Sequence, residues 1–455
     1  MKNRKLLSLL TAAAMTAGAL GGCGGGGTQT TAAAPEAQAG QKTEAQAPDS
    51  SGGGADSAGE ASMYEVTEPV TIEYWYNSAV NEDFYNKLAE DFNSSQEYVT
   101  VVPVCGGDYN SISEKLTAAQ AAGTGLPGLC LMSVDRIAVY MDSGVCEPLD
   151  PYCEAYGVDT SDFVDAFMNG GTYDGVIYGF PHGVSVATFY YNRDELAKVG
   201  LDAFPATWEE FKTWCKEVYD KTGKTAYTCA CMQNNILYNF SYNWGGLLVK
   251  EDGTTGFDSE TLKQYIREMK ELVDAGYVEW SLEGVEAVGN KFLNGDTMCI
   301  NVSCTDYSHY TDNDFEVGLA WNYTGEHGIS SVAGSLMFIP SGLDQKSKNA
   351  AFVFAKYLSS PDVNLEWAKF SSYLATHKST IADESKMAEI YEALPEMKMV
   401  YENSGNYIEK IKTPYFSKAM KPFMEAINQI ILENADFDET WNNMLEEVNY
   451  VLAGN

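Results

Sequence analysis

From residue 70 onward the chain alternates short β-rich runs with amphipathic helical segments. Residues 70–76 read VTIEYWY, a run rich in β-branched and aromatic residues that predicts a strand. The next segment repeats large apolar residues at every fourth position from Phe84, which predicts one buried helical face. Residues 99–104 and 128–132 predict two more strands with a second helix between them. Strands that alternate with helices in this way predict an α/β fold with a parallel sheet.

The N-terminus has the pattern of a secretory signal. A basic start is followed by an apolar or small-residue run over residues 6–20. Leu20-Gly-Gly-Cys23 resembles the bacterial lipobox, in which the cysteine thiol is diacylated and becomes the first residue of the mature chain. A plain signal peptide with an incidental cysteine is the alternative. We therefore expect residues 1–22 to be a signal peptide and Cys23 to anchor the protein on the extracellular face of the cell membrane.

Residues 23–67 predict a flexible tether. Gly, Ser, Thr, Ala, Gln and Pro dominate this stretch, and its largest hydrophobic residues, Met63 and Tyr64, stand at its far end. Such a composition has too little apolar surface to order itself. No later segment approaches the run of about 18 apolar residues that a membrane-spanning helix needs. The lipid is therefore expected to be the only membrane attachment.

The charge balance excludes one class of partner. The 455 residues include 64 Asp and Glu against 29 Lys and Arg, a formal net charge of −35. Nucleic acid is excluded as a partner because phosphate binding needs basic residues to displace counterions. The same charge opposes direct binding to an anionic membrane surface. With 45% hydrophobic residues, the composition is that of a globular protein, and the length predicts two or three domains.

Motifs for catalysis or metal binding are absent from the sequence. There is no GxxxxGK[ST] phosphate loop, no HExxH zinc motif and no GxSxG nucleophile motif. Asp312-Asn-Asp-Phe-Glu316 begins like a calcium loop, but Val317 stands where the sharp turn needs glycine. We therefore expect no enzyme activity, no cofactor and no metal site. A surface glycoside hydrolase remains a remote alternative, because 64 carboxylates always supply a chance pair of acids.

Ten cysteines are present, and one of them is used by the predicted lipid. Nine remain, an odd number that cannot all form disulfides. Cys105, Cys130, Cys215 and Cys299 lie in apolar stretches and are interpreted as small core residues. Cys146 with Cys153 is the one pair that merits a test for a disulfide.

Aromatic and amide side chains cluster where predicted strands end. Flat aromatic faces cover the C–H face of a sugar, and Asn, Asp and Gln satisfy its hydroxyl groups. Core packing is the alternative explanation for each single cluster. Ligands of α/β folds bind at strand ends, which favours a role in carbohydrate recognition for the group. The clusters are Trp75-Tyr-Asn77, Asp108-Tyr-Asn110, Tyr190-Tyr-Asn192 and Gln233-Asn-Asn235 with Tyr238, Asn239 and Trp244.

Five motifs in order along the chain resemble one known family. They are Val70-Thr-Ile-Glu-Tyr-Trp-Tyr-Asn77, Tyr178-Gly-Phe-Pro-His182 running into Thr188-Phe-Tyr-Tyr-Asn-Arg-Asp194, Phe204-Pro-Ala-Thr-Trp-Glu-Glu-Phe211, Phe292-Leu-Asn-Gly-Asp-Thr-Met298, and the stretch from Lys348 to Pro361. Together they resemble the family 1 extracellular solute-binding proteins of bacterial ABC importers. The resemblance covers residues 68–455.

The resemblance implies a two-lobed, periplasmic-binding-protein-like α/β fold with a hinge. The chain would cross between the lobes near residues 178–185, 300–306 and 335–341, so that each lobe is discontinuous. Lobe 1 would comprise residues 68–180 and 304–337. Lobe 2 would comprise residues 181–303 and 338–455. The ligand would lie in the cleft between the lobes, and the implied partners are a carbohydrate and the ABC permease subunits in the membrane. A monomer is expected.

Within the family, the motif pattern is most similar to the glycerol-3-phosphate-binding type. That similarity implies ligand contacts at Tyr109, Ser185, Ser303, Gly334 and Tyr373. Its acidic contact falls at Val134 or Asp135, and we take Asp135. Where that type carries tryptophans, this chain has Cys231 and Asn234, so Asn234 is included as a candidate ligand residue.

The candidate ligand is a neutral sugar or a short oligosaccharide. The only arginines are Arg4, Arg136, Arg193 and Arg267, so the phosphate-binding arginine that the family pattern implies in the C-terminal part is missing. A guanidinium is the usual bidentate partner of a phosphate. Glycerol 3-phosphate or a glycerophosphodiester is the alternative ligand, and a purely structural surface lipoprotein is the alternative from another class.

Two tryptophans are candidate stacking platforms for a sugar. Trp75 ends the first predicted strand, at the edge of the cleft that the resemblance implies. Trp244 lies in an Asn- and Gly-rich segment of the other implied lobe. We expect at least one of them to contact the ligand.

Overall fold

The computed structural model describes residues 63–322 and 328–454. Within them the strands are β1 Val70–Asn77, β2 Val99–Gly107, β3 Leu129–Ser133, β4 Thr172–Tyr173, β5 Val176–Ile177, β6 Gly179–Ser185, β7 Ala187–Asn192, β8 Tyr227–Ala230, β9 Val278–Ser281, β10 Cys299–Ser303, β11 Val317–Ala320, β12 Ser330–Ser331, β13 Ala333–Phe338 and β14 Tyr407–Ile408. The first three strands coincide with the three β-rich runs of the sequence, so the three strand predictions are confirmed.

The α-helices of the described residues connect and cover these strands. They are α1 Glu82–Ser95, α2 Tyr109–Ala122, α3 Val134–Asp142, α4 Asp150–Tyr156, α5 Asp165–Gly170, α6 Arg193–Lys198, α7 Trp208–Thr222, α8 Asn234–Asn243, α9 Glu260–Asp274, α10 Val285–Leu293, α11 Tyr307–Thr311, α12 Gln345–Leu358, α13 Pro361–Ser371, α14 Lys378–Ala382, α15 Glu384–Ala393, α16 Met397–Glu402, α17 Phe416–Leu432 and α18 Phe437–Leu452. Short 3-10 turns lie at Ala79–Asn81, Thr160–Asp162, Cys304–Asp306 and Ser404–Asn406.

The first sheet has five strands in the order β2-β1-β3-β13-β6. Strand β1 pairs in parallel with β2 and β3, which confirms the predicted parallel arrangement. Strand β13 runs antiparallel to both β3 and β6. The carboxyl ends of β1, β2 and β3 therefore meet at one edge of the sheet, and helices α2 and α3 begin there.

The second sheet also has five strands, in the order β11-β7-β10-β8-β9. Strands β10, β8 and β9 are parallel, and β7 lies antiparallel between β10 and β11. Helix α7 packs on this sheet through Phe211 and Trp214. It begins with a capping box, in which Thr207 accepts from the Glu210 amide and Glu210 reaches back to the amide of Thr207.

Only Val186 separates β6 of the first sheet from β7 of the second. The chain is back in the first sheet at β13, and helices α17 and α18 pack against the core of the second sheet through Phe423 and Trp441. Each sheet is thus built from separate stretches of sequence, as the resemblance implies.

The lobe ranges given above stay a prediction. The positions of one strand and one helix differ from what those ranges would suggest. Strand β11 is paired with β7 in the second sheet, although residues 304–337 are expected in lobe 1. Helix α12 packs on the first sheet, although residues 338–455 are expected in lobe 2. The physical reason is burial, because Phe354 of α12 lies edge-on to Tyr74 of β1 at 5.5 Å between ring centroids.

The predicted signal peptide, Cys23 and the tether up to residue 62 lie outside the described residues. Residues 63–66 contact the folded domain. Tyr64 lies edge-on to Tyr152, and its carbonyl accepts from the Tyr156 hydroxyl at 2.6 Å. Asn349 donates to the carbonyls of Met63 and Glu65. These contacts place the end of the predicted tether against the first sheet's core.

The nine cysteines of the described residues are free thiols, and all but Cys105 are buried. Cys146 and Cys153, the pair singled out in the sequence, form no disulfide with each other. The described helices include none that is long and apolar enough to cross a membrane.

Candidate ligand-binding site

Two helix starts bring Tyr109 and Asp135 to the carboxyl edge of the first sheet. Asp108 caps α2 by accepting a hydrogen bond from the Ser111 amide at 2.8 Å, which makes Tyr109 the first helical residue. Asp135 is the second residue of α3, directly after β3 ends at Ser133. Both side chains are half-buried.

Tyr109 contacts the strand that returns to the first sheet. Burial raises the pKa of Tyr109 to about 12, a hydrogen bond with Ser335 opposes this rise, and the Asp135 charge adds to it. Ser335 is buried in β13, opposite Ser133 of β3. Tyr109, Asp135 and Ser335 therefore form one cluster of hydroxyl and carboxylate groups.

Gly334 and Gly183 allow the two crossing strands to approach closely. Gly334 has φ +110°, and a Cβ atom there would lie 1.7 Å from the Gly183 carbonyl oxygen. A Cβ at Gly183 would lie 2.9 Å from the Ser335 hydroxyl oxygen and 3.2 Å from the ring of Tyr373. Gly334, the predicted cleft glycine, is thus a position where only glycine fits. Its neighbour Gly183 lies beside both Ser335 and Tyr373.

Tyr373 is held flat against Trp367, with ring centroids 5.5 Å apart and an interplanar angle of 15°. The following residue, Leu374, donates its amide to the carbonyl of Val184 in β6. Burial raises the pKa of Tyr373 well above its usual value, and the nearby Tyr109 and Asp306 raise it further. Tyr373 thus connects the first-sheet cluster to the end of β10 in the second sheet.

The end of β10 contributes Ser303 and Asp306. The Ser303 hydroxyl accepts from the Thr305 amide, and the Ser303 carbonyl accepts from the Tyr190 hydroxyl at 2.9 Å. Burial raises the pKa of the Asp306 carboxyl to about 6, and His309 partly offsets this rise. Sequence reasoning missed Asp306; the available signal was an acid directly after a buried strand at an implied crossing.

Ser185 lies at the crossing itself. It is buried at the end of β6 and is paired with Ala333, while Ser303 is paired with Ala187 on the other side of Val186. The structure thus brings Tyr109, Asp135, Ser185, Ser303, Gly334 and Tyr373 of the predicted set to the region where the chain passes between the sheets. Ser335 and Asp306 join them.

Lys410 is the cation that faces Asp135. Its side chain is 6% exposed, forms an ion pair with Asp135, and lies 5.4 Å from the ring centroid of Phe416. A cavity lies beside this pair, between α3 and residues 409–416. Nothing in the local sequence pattern indicated this contact, because 275 residues separate its partners.

Arg136 stands next to Asp135 on α3 and is half-buried. Its charge helps to lower the pKa of Asp108, whose chief cause is the hydrogen bond from the Ser111 amide. Within the described residues Arg136 forms no ion pair of its own. This guanidinium therefore lies near Asp108, the residue that caps α2.

A family model described as bacterial extracellular solute-binding protein matches residues 87–398, more than half of the chain. The chain belongs to this family. The family expected from the five sequence motifs is thereby confirmed, and with it the class of protein: a solute-binding protein of an ABC importer.

Relatives of this solute-binding protein bind different ligands. The sn-glycerol-3-phosphate-binding periplasmic protein UgpB of Salmonella typhimurium is 26% identical over 331 residues, which cover 67% of this chain and 74% of the relative. UgpB from Mycobacterium tuberculosis in complex with glycerophosphocholine has a TM-score of 0.74 at 22% identity, over 85% of this chain and 99% of that one. A cyclic alpha-maltosyl-1,6-maltose binding protein from Arthrobacter globiformis has a TM-score of 0.74 at 21% identity, over 85% and 100%. These neighbours confirm the two-lobed fold.

The two candidate stacking platforms, Trp75 and Trp244, pack against other side chains of this solute-binding protein. Trp75 is 8% exposed, and its ring nitrogen donates to Glu73 at 2.8 Å. Trp244 is stacked on Tyr265, with ring centroids 4.8 Å apart, and lies edge-on to Trp208. Their role as stacking platforms stays a prediction, to which this packing gives no support.

The amide cluster of α8 serves largely to hold a neighbouring segment. Asn239 and Asn243 are buried, and their side-chain oxygens accept from the amides of Ser331 and Ile329 at 2.8 Å each. Core packing, the alternative explanation, thus accounts for these two residues. Asn234, the first residue of α8, is half-buried, and its role as a ligand contact stays a prediction.

Among the described residues there is no group of three or more His, Cys, Asp or Glu side chains that could hold a metal ion. The candidate site offers hydroxyl, phenol, carboxylate, lysine and guanidinium groups.

Proposed function

We propose that this solute-binding protein captures a neutral sugar or short oligosaccharide between its two lobes and delivers it to the permease subunits of an ABC importer. It performs no bond chemistry. Contacts from both lobes to the ligand favour the closed state and so couple binding to delivery. The ligand contacts are Tyr109, Ser185, Ser303, Ser335 and Tyr373.

One observation carries this proposal: hydroxyl and carboxylate groups from both sheets converge where the chain crosses between them. Tyr109 and Ser335 belong to the first sheet's edge, Ser303 and Asp306 follow β10 of the second sheet, and Tyr373 lies between them. Such groups hydrogen-bond to the hydroxyls of a sugar. Lys410 adds no free charge for an anion, because Asp135 neutralises it.

The protein is held on the extracellular face of the membrane through Cys23, which becomes lipidated after residues 1–22 are removed. The lipobox-like stretch before Cys23 supports this part of the proposal. The stretch from Cys23 toward residue 62 acts as the tether, and the folded domain is a monomer.

Glycerol 3-phosphate or a glycerophosphodiester is the second candidate ligand, and Arg136 favours it. This guanidinium lies near the first turn of α2 without an ion pair of its own, and helix N-termini and arginines both bind phosphate. UgpB of Salmonella typhimurium, an sn-glycerol-3-phosphate-binding protein, supports the same alternative.

Isothermal titration calorimetry on the Cys23→Ser chain without residues 1–22 separates these candidates. We expect binding of at least one of maltose, maltotriose, tagatose and ribitol, and weaker or no binding of sn-glycerol 3-phosphate and glycerophosphocholine. The affinity for a neutral ligand should change little between low and moderate salt. The affinity for a phosphate ligand held by net charge should fall, because salt screens that attraction.

Three variants, one of them a control, and one assay sharpen the test. Tyr373→Ala should weaken sugar binding, whereas Tyr98→Ala, a change at an exposed tyrosine of the first sheet's outer edge, should not. Arg136→Gln should leave sugar binding intact. Loss of phosphate binding on Arg136→Gln, with no response to any sugar, would establish the second candidate instead. Release of monosaccharide from maltotriose would indicate a hydrolase, and absence of all binding a structural lipoprotein.

A further inference from the structure

An exposed aromatic pair lies at the carboxyl edge of the first sheet. Phe370, in the last turn of α13, is 50% exposed, and its ring is stacked on that of Phe84 with centroids 4.7 Å apart and an interplanar angle of 18°. Phe84 lies in the first turn of α1, which follows the end of β1 after one 3-10 turn. Val80 in that turn is 85% exposed. A single exposed apolar residue is ordinary, but a stacked pair beside a candidate ligand site is a candidate contact surface.

Trp367 joins this aromatic pair to the candidate ligand site. Its ring centroid lies 5.0 Å from that of Phe84 and 6.1 Å from that of Phe370. The same ring is stacked on Tyr373 at 5.5 Å. The proposed ligand contact Tyr373 and the exposed Phe370 therefore belong to one continuous cluster of aromatic rings.

The buried side of this cluster is fixed by further contacts. Trp367 is almost fully buried, and its ring lies nearly parallel to that of His182 in β6, with centroids 5.1 Å apart. The Tyr85 hydroxyl and Nε2 of His182 share a hydrogen bond of 3.0 Å. Rings that are already held in place lose little conformational freedom when a ligand packs on them.

The charges near the pair favour a neutral ligand. Lys369, the residue before Phe370, forms ion pairs with two glutamates, so its charge is compensated. The first turn of α1, which carries Phe84, adds two exposed acids, Glu82 and Asp83. These acids oppose the approach of a phosphate. The C–H face of a sugar, in contrast, packs on an aromatic ring without needing a charged partner.

We propose that Phe370, backed by Phe84, is a stacking platform for a sugar unit that lies beyond the unit in contact with Tyr373. Phe84 covers one face of the Phe370 ring, and the exposed half of that side chain is available to the C–H face of a sugar. The preferred ligand is then an oligosaccharide and not a single sugar. This inference rests on the proposed function and names the size class of its ligand.

Calorimetry with sugars of increasing length tests this platform. The probes are glucose, maltose, maltotriose and maltopentaose, then cellobiose and cellopentaose for a second linkage, with tagatose and ribitol. For the unchanged protein, we expect affinity to rise with length in at least one series. Phe370→Ala should weaken the longest sugar by about 5-fold or more, the lower limit for bases stacked on aromatic side chains, and leave the shortest bound sugar unaffected. Tyr373→Ala should weaken all lengths.

Three further variants separate stacking from packing. Phe370→Tyr keeps a flat ring and should retain the dependence on length. Phe370→Leu keeps an apolar side chain without the ring and should behave like Phe370→Ala. Tyr98→Ala is the matched control and should change no affinity, because Tyr98 is an exposed aromatic residue beside the amino end of β2, at the opposite edge of the same sheet. Melting temperatures without ligand check that each variant folds.

The binding results distinguish this inference from the proposed function. Absence of binding of every probe to the unchanged protein overturns both. Binding confined to glucose, tagatose or ribitol overturns the inference and leaves the proposed function standing. So does an affinity loss on Phe370→Ala that is equal at all lengths, because Phe370 would then not lie beyond Tyr373.

Two results would assign the exposed ring to another partner. Oligosaccharide affinity that Phe370→Ala leaves unchanged overturns the inference and favours a contact with the permease. Analytical ultracentrifugation without ligand tests a second copy of this chain as the occupant. Self-association of the unchanged protein that Phe370→Ala abolishes would show that the ring is covered in a dimer, and it would also overturn the inference.

Discussion

Single residues decide how closely strands β6 and β13 of the first sheet can approach at this site. Gly334 combines a φ of +110° with a carbonyl oxygen in the space that a Cβ atom would fill. Asp306 is half-buried, and its carboxylate has no hydrogen-bond donor among the described residues. Gly334 permits the close approach of the two strands, and Asp306 adds a charge that the packing does not require.

Gly334→Ala should lower the free energy of unfolding by about 2–4 kcal/mol, because the new Cβ meets the Gly183 carbonyl and the φ is strained for alanine. Gly123→Ala is the control, since Gly123 also has a positive φ but has open space around its would-be Cβ. It should cost only about 1–2 kcal/mol. Urea unfolding of both variants provides the measurement. Equal losses would show that close approach is not the reason for the glycine.

Asp306 should make stability depend on pH in a defined direction. Its folded pKa of about 6 lies above the usual 3.8, so the native state holds this proton more tightly than the unfolded chain does. Stability therefore falls as pH rises from about 4 to about 6, and the full cost of roughly 3 kcal/mol is present only above that range.

Unfolding free energies of Asp306→Asn and the unchanged protein at about pH 4.5 and pH 7.5 test this sign. The variant should be the more stable of the two, by a margin roughly 1–2 kcal/mol larger at the higher pH. Of the groups near Asp306, Cys304, Tyr190, Tyr310 and Tyr373 have raised pKa values and stay neutral over this range. His309 is exposed and its charge acts on Asp306, so His309→Gln serves as a control for that influence. A margin that shrinks as pH rises contradicts the prediction.

At the scale of elements, the site depends on how helix starts and strand ends are joined. Helix α2 begins at Tyr109 because Asp108 caps it, and α3 begins directly after β3. The segment before α17 contacts α3 through Lys410 and Asp135. This ion pair joins a helix of the first sheet to the chain that continues into the core of the second.

The Lys410–Asp135 pair should show energetic coupling. Lys410→Met leaves Asp135 half-buried without its cation, so it should destabilise more than the double variant Lys410→Met/Asp135→Asn. We expect a coupling free energy of about 1–3 kcal/mol from urea unfolding of the double-mutant cycle. The exposed pair Lys421–Glu425 on α17 serves as the comparison and should give about 0.3–0.5 kcal/mol. Similar values for the two pairs would contradict a structural role for Lys410.

At the scale of the whole molecule, two sheets built from interleaved stretches of chain meet at the crossings. β6 continues into β7 after one residue, and the chain is back beside β6 at β13. This arrangement places residues from five distant stretches around one region, which is suited to a ligand that touches both lobes. The net charge of −35 then favours neutral ligands over anions at long range.

Membrane attachment is expected to depend on one residue, Cys23, which lies outside the described part of the chain. Cys23→Ser should move the protein from the membrane fraction to the medium while its melting temperature stays unchanged, because Cys23 lies 40 residues before the first described residue, Met63. Fractionation with an antibody against the domain measures this. Cys146→Ser, a change at a buried thiol, should leave the protein on the membrane. Retention of Cys23→Ser in the membrane fraction contradicts the lipid anchor.

The sequence alone determined the elements and the family. The first three strands, the helical face that begins at Phe84 and the capping box at Thr207 were predictable, because periodicity and capping act between residues a few positions apart. The resemblance named Tyr109, Ser303 and Tyr373 as candidate ligand contacts, and the structure places these three residues around the crossings. Its implied ligand contacts remain predictions.

Only the tertiary structure decided which polar groups face one another. Asn239 was a candidate sugar-binding amide, but together with Asn243 it holds residues 329–331, some 90 positions away. Asp135 pairs with Lys410, which lies 275 residues further along the chain. The charge of Asp306 acts on Tyr373, which lies about 70 residues further along the chain. Trp75 is buried by side chains from α2 and β3 that no local pattern places there. Burial and pairing depend on contacts between distant parts of the chain, so they follow from the fold and not from any short stretch of sequence.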